Sequence, residues 1–88
     1  METRTEDIKA TVKRYVLDEF LPEEDPDELE VSTPLITGGI LDSISTVKLV
    51  AFLEERFGVT FQAYEMNADY LDTLDTIAET VNGKVSQG

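Results

Sequence analysis

Apolar side chains recur at three- and four-residue steps in three separate stretches of this chain, a spacing that calls for amphipathic helices and leaves no paired strands. Ile8, Val12, Tyr15, Val16 and Phe20 mark a first helix from about Glu6 to Phe20. It ends at Leu21-Pro22, because the residue before a proline is biased away from helical angles. A second helix is predicted from Ser43 to Phe57 on the apolar positions Ile44, Val47, Val50, Ala51 and Phe57, with Gly58 as its C-terminal cap. Leu49, Phe52 and Leu53 widen its apolar side, which suggests neighbours on more than one side. Thr73 is placed to cap a last helix lined by Leu74, Ile77, Ala78 and Val81; Asp75 suits its positive N-terminal end, Gly83 marks its end, and Lys84 to Gly88 read as a flexible tail. A short helical turn from Asn67 to Leu71 brings Met66, Tyr70 and Leu71 inward. Val59-Thr60-Phe61 is too short for a strand and reads as a buried extended linker. The expected fold is all-α, with three main helices, one short helix and a long first loop.

That loop is set by composition. Glu23-Glu24-Asp25-Pro26-Asp27-Glu28-Leu29-Glu30 places six carboxylates and a proline in eight residues, and a connection continues to Leu41. Leu29, Val31, Leu35, Ile36, Ile40 and Leu41 are the expected tethers that hold it on the core, since a loop this long in a small domain is ordered for function or not ordered at all. With 88 residues the chain supports one modest core and one domain, residues 1–88, of which about 5–82 are expected to fold.

Charge and missing residue types narrow the chemistry. With 19 acidic against 7 basic side chains the net charge is −12, which repels nucleic acid phosphate and attracts proteins with basic patches. The chain contains no cysteine, histidine or tryptophan, so disulfides, the usual zinc ligands and Ser-His or Cys-His nucleophilic pairs are excluded. The acidic run lacks the alternating oxygen ligands, central glycine and distant glutamate of an EF-hand loop, and no metal site is expected. No apolar leader opens the chain and no run of apolar residues is long enough to span a bilayer, so a cytoplasmic protein is expected.

The candidate site lies where the long loop meets the second helix, in Gly38-Gly39-Ile40-Leu41-Asp42-Ser43-Ile44. The glycine pair allows a sharp turn, and Asp42 or Ser43 can accept the orphan N–H groups of a starting helix. Ser43 is thereby presented at a mouth, with no histidine to make it a nucleophile, and reads as a substrate for another enzyme.

Asp42-Ser43-Ile44 followed by Thr46-Val47, then Leu49-Val50 and Leu53-Glu54-Glu55-Arg56-Phe57-Gly58, with Thr73 opening the last helix, resembles the acyl carrier protein family and its peptidyl and aminoacyl carrier relatives over essentially the whole chain. The resemblance implies an acyl-carrier-like four-helix bundle with no catalytic residues of its own. It further implies that Ser43 is esterified with 4′-phosphopantetheine taken from coenzyme A by a phosphopantetheinyl transferase that recognises Asp42. Ile44, Val47, Lys48, Glu54 and Glu55 are the partner-facing positions it suggests, the partners being acyl-loading and acyl-transfer enzymes with basic patches, and the chain acting as a monomer. The implied function is to hold acyl groups as thioesters for fatty-acid, polyketide or related biosynthesis.

Two features keep the cargo open. Positions two and five after the serine, commonly acidic in bacterial fatty-acid carriers, are Ser45 and Lys48 here. Gly39-Ile40-Leu41-Asp42-Ser43 with Thr46-Val47 also resembles the D-alanyl carrier proteins, so an aminoacyl cargo is the alternative. Val47, Ala51, Met66, Tyr70 and Leu71 are candidates to border a cleft for the carried chain. An unmodified acidic interaction module, with Ser43 only a helix cap, is the remaining reading.

Overall fold

The first helix, α1, spans Arg4–Phe20 in the computed structural model, which describes residues 4–87. Ile8, Val12 and Val16, spaced four apart, form its buried stripe and pack against α4, Leu74–Gln87, where Leu74, Ile77, Ala78 and Val81 supply the matching face. Lys9 Nζ lies 2.8 Å from Asp75 Oδ1 and closes the edge of this α1–α4 pair. The long connection, with a 3₁₀ turn at Pro26–Glu28, leads to α2, Ser43–Phe57. The extended linker carries Phe61 into the core and is followed by a second 3₁₀ turn, Ala63–Glu65, and by the one-turn α3, Ala68–Leu71. All regular structure among the described residues is helical, as the periodicity demands.

One core serves the whole arrangement. It joins the α1 and α4 stripes to Leu49, Val50 and Leu53 of α2, Leu71 of α3, Phe61 of the linker, and Leu29, Leu35 and Leu41 of the first loop. Burying side chains of this size is worth about 1.5–3 kcal/mol each. Three of the six expected loop tethers are therefore fully buried; Ile36 and Ile40 are half-buried, and Val31 faces water. At the α1–α2 contact Tyr15 stacks on Phe52 with ring centroids 4.0 Å apart, and its hydroxyl donates to the Lys48 carbonyl at 3.3 Å.

The rotation of α2 and the end of α4 differ from the sequence expectation. The buried face of α2 is Thr46, Leu49, Val50 and Leu53, while Ile44 and Val47 point outward at 69% and 54% exposure and Ala51 is exposed. The helix is apolar on two sides, so three- and four-residue steps fit either stripe. Gly83 does not end α4, and Lys84 to Gln87 form its last turn instead of a tail. Glycine costs about 1 kcal/mol inside a helix. Beyond it Lys84 Nζ reaches Glu65 Oε1 at 2.7 Å and lies 4.8 Å from the Phe61 ring centroid, and Val85 packs on the core, which offsets that cost. Gly88 lies outside the described residues.

Candidate functional site

Asp42 settles where α2 begins. Its backbone is extended, with φ −94° and ψ −170°, and its Oδ1 accepts the Ser45 N–H at 2.8 Å, so it is the N-cap and Ser43 is the first helical residue. The Asp42 carbonyl also accepts the Thr46 N–H at 2.9 Å and the Thr46 hydroxyl at 2.8 Å. The N–H of Ser45 holds the Asp42 carboxyl below the usual carboxylate range. The cap is thus anionic and turned onto its own helix, leaving the exposed Ser43 hydroxyl free of that work.

The turn ahead of the cap needs both glycines. A Cβ on Gly38 would collide with the Pro34 carbonyl oxygen, and Gly39 adopts φ 87°, a left-handed conformation that other residues rarely take. Gly39 N–H donates to the Ile36 carbonyl at 3.1 Å and Leu41 N–H to the Leu35 carbonyl at 2.8 Å, folding residues 35–41 into a compact turn. Leu41 is buried beneath it, so Asp42 and Ser43 emerge at the rim.

Beside Ser43 lies a cleft of about 590 Å³ between the loop and α2 on one side and the approach to α3 on the other. Ile36, Leu41, Thr46, Val47 and Met66 make its apolar parts, and Asp42, Ser43 and Asn67 its polar ones. Of the five residues expected to border a cleft, Val47 and Met66 do. Leu71 is instead fully buried in the core, Tyr70 packs edge-on against Tyr64 at 6.0 Å, and Ala51 lies on the exposed surface of α2.

The five positions expected to face partners divide. Ile44, Val47 and Lys48 are exposed on the half of α2 that starts at Ser43, and Glu55 is exposed near its far end. Glu54 is engaged internally: its Oε2 accepts the Phe61 N–H at 2.8 Å, which fixes the linker after the Gly58 cap. Two further carboxylates have roles that no sequence pattern announced. Glu65, buried, accepts the Gln62 N–H at 2.8 Å and the Lys84 ammonium, and these contacts hold its carboxyl below the usual range. Asp72, directly after α3, accepts the Ile36 and Thr37 N–H groups on Oδ1 at 2.8 and 2.9 Å and the Thr37 hydroxyl on Oδ2 at 2.9 Å, while its carbonyl accepts the Leu35 N–H. Burial pushes the Asp72 carboxyl upward, but the hydrogen bonds from Thr37 and Ile36 outweigh it and leave the carboxyl below the usual range.

Residues 16–82 match a protein family described as the phosphopantetheine attachment site. The chain belongs to that family. It is also 35% identical to a D-alanyl carrier protein of Streptococcus gordonii over 75 residues, which cover 85% of this chain and 91% of the relative. The D-alanyl carrier proteins of Streptococcus mutans and Streptococcus suis are 33% and 32% identical over the same extents. The chain is accordingly a carrier without catalytic chemistry of its own, and its cofactor is covalently attached 4′-phosphopantetheine. A phosphate ester fits what surrounds the first turn of α2: an exposed hydroxyl at the positive end of a 15-residue helix, beside a cleft with polar and apolar walls. Among the described residues no helix is long and apolar enough to cross a membrane.

Proposed function

We propose that Ser43 is the attachment residue and that the chain carries an aminoacyl group of the D-alanyl type as a thioester on its phosphopantetheine arm. The observation that carries the first half is the exposed Ser43 hydroxyl at the first position of α2, with Asp42 already capping the helix. In loading, Ser43 Oγ attacks the phosphorus that bears the pantetheine in coenzyme A. The new O–P bond replaces the pyrophosphate bond, the hydroxyl proton goes to a base of the transferase, and 3′,5′-ADP leaves. The chain has no histidine and the neighbouring Asp42 carboxylate is engaged in capping α2, so the base is assigned to the transferase. The arm brings the thiol that a cysteine-free chain lacks.

The second half rests on the likeness to D-alanyl carrier proteins and on the surface around the serine. Ser45 and Lys48 leave the start of α2 without carboxylates beyond Asp42, while Ile44 and Val47 offer an exposed apolar stripe. Such a surface suits a partner that presents apolar side chains and an acidic group, and it is a poor match for a basic patch. Fatty-acid and polyketide cargo, the broader sequence expectation, gains no support from either source.

Competitive charging tests the proposal. Phosphopantetheinylated protein is offered ATP-dependent D-alanine activation in one reaction and a malonyl transferase in another, and the intact mass is read. A D-alanyl adduct that hydroxylamine removes, with no malonyl adduct, is the expected result; efficient malonyl transfer without aminoacylation overturns the aminoacyl assignment. The single domain spanning residues 1–88, a monomeric state and a cytoplasmic location are parts of the same proposal, and sedimentation and cell fractionation check the last two.

A further inference from the structure

The loop that delivers Ser43 runs from the end of α1 to Asp42, and burial of Leu29, Leu35 and Leu41 holds it down without fixing its direction, because apolar burial is non-directional. Direction comes from hydrogen bonds. Among the described residues five bonds join this loop to the α3–α4 side of the molecule, and four of them end on Asp72; the fifth runs from Asp75 N–H to the Val31 carbonyl.

The consequences reach Ser43 in two short steps. Asp72 fixes Leu35, Ile36 and Thr37, and the Leu35 carbonyl accepts the N–H of Leu41, the residue directly before the Asp42 cap. Asp72 also ties together the walls of the cleft beside the serine. Ile36 forms part of one wall, while Met66, Asn67 and Ala68, in and just before the helix that Asp72 terminates, form the other.

We infer that Asp72 is a positioning residue for the attachment site: it holds the turn at residues 35–41 so that Ser43 meets the transferase in one conformation. The inference rests on Ser43 being the residue that is loaded. Without the three contacts to the Asp72 carboxylate only the Leu35 N–H remains tied, to the Asp72 backbone carbonyl, so the turn samples many arrangements and a transferase that binds only one sees a smaller competent fraction. The apparent affinity then falls by that fraction while the chemistry on the bound molecule is unchanged.

The test is steady-state loading of the full chain by a phosphopantetheinyl transferase with coenzyme A, comparing the unaltered protein with Asp72→Ala, Asp72→Asn and Thr37→Val. For Asp72→Ala the KM for the carrier rises about tenfold with kcat within about twofold. Asp72→Asn, which keeps an oxygen acceptor for the two N–H groups, restores KM to within about threefold of the unaltered value. Amide exchange quickens at Ile36 and Thr37 while Leu49 and Leu53 stay protected. A folded Asp72→Ala protein with unchanged KM overturns this inference alone, whereas failure of the unaltered chain to be loaded overturns the attachment reading and this inference together. Should Asp72→Ala not fold, Thr37→Val decides: a KM raised about threefold supports the inference, and an unchanged KM overturns it.

Discussion

Two sets of carboxylates in this acidic chain behave in opposite ways. The six between Glu23 and Glu30 face solvent, enter no ion pair among the described residues, and contribute one local contact, Asp25 Oδ1 accepting the Asp27 N–H at 3.0 Å. Asp42, Glu65 and Asp72 belong to no such run, yet each accepts a backbone N–H at a structural junction: the start of α2, the turn before α3 and the step from α3 to α4, where the first loop docks. A dense charge run gives the molecule its field, and isolated carboxylates give it its geometry. What separates the two is whether the backbone donor within reach belongs to a junction between elements or only to the carboxylate's own exposed loop.

Substitution sharpens the contrast most strongly at the junctions. Glu65→Ala leaves the Gln62 N–H unpaired and the Lys84 ammonium without its carboxylate above Phe61, a loss of about 2–3 kcal/mol in urea unfolding. Asp72→Ala follows at about 1–3 kcal/mol, since three donors of the first loop lose a partly buried acceptor. Replacing Glu23, Glu24 and Glu28 together by glutamine shifts stability by less than about 0.5 kcal/mol. A larger loss there would break the distinction.

Acid separates the sets by a different route. Asp42, Glu65 and Asp72 have folded-state pKa values below their ordinary values, so their contribution is present above the unfolded-state range near pH 4 and is lost as pH falls through the lowered values. In high salt, which screens repulsion among exposed charges, the urea midpoint is flat from about pH 7 to 5 and declines below about pH 4. A midpoint that climbs steadily into that range would show repulsion, not anchored carboxylates, to be in control. The smallest effect belongs to salt at neutral pH: with a net charge of −12, added sodium chloride raises the melting temperature modestly, and less so in the triple glutamine variant.

Much of this architecture is written in local sequence. The spacing of Ile8, Val12 and Val16, the Asp42-Ser43 start, the Gly58 cap and Thr73, whose Oγ1 accepts the Thr76 N–H at 3.0 Å, are each decided within one or two helical turns. The rotation of α2 was not legible, because Ile44 and Val47 are as apolar as Leu49 and Leu53 and only packing against α1 and α4 selects the buried side. Lys84 reads as tail in the sequence because its partners, Glu65 and Phe61, lie about twenty residues upstream. Asp72 carries the same lesson further: its donors at Ile36 and Thr37 are backbone groups that no side-chain pattern marks. The place of Ser43 at the start of α2 is readable, since the Asp-Ser step and the glycine turn before it are contiguous. What holds it there is not.

The central claim is that Ser43 bears the phosphopantetheine arm, and intact mass tests it most directly. Purified protein and its Ser43→Ala variant are weighed before and after incubation with coenzyme A, Mg²⁺ and a broad-specificity phosphopantetheinyl transferase. One phosphopantetheine is expected on the unaltered chain and none on the variant, which stays folded because the helix cap is Asp42. Addition to Ser43→Ala, or none to the folded unaltered chain with more than one transferase, would contradict the claim.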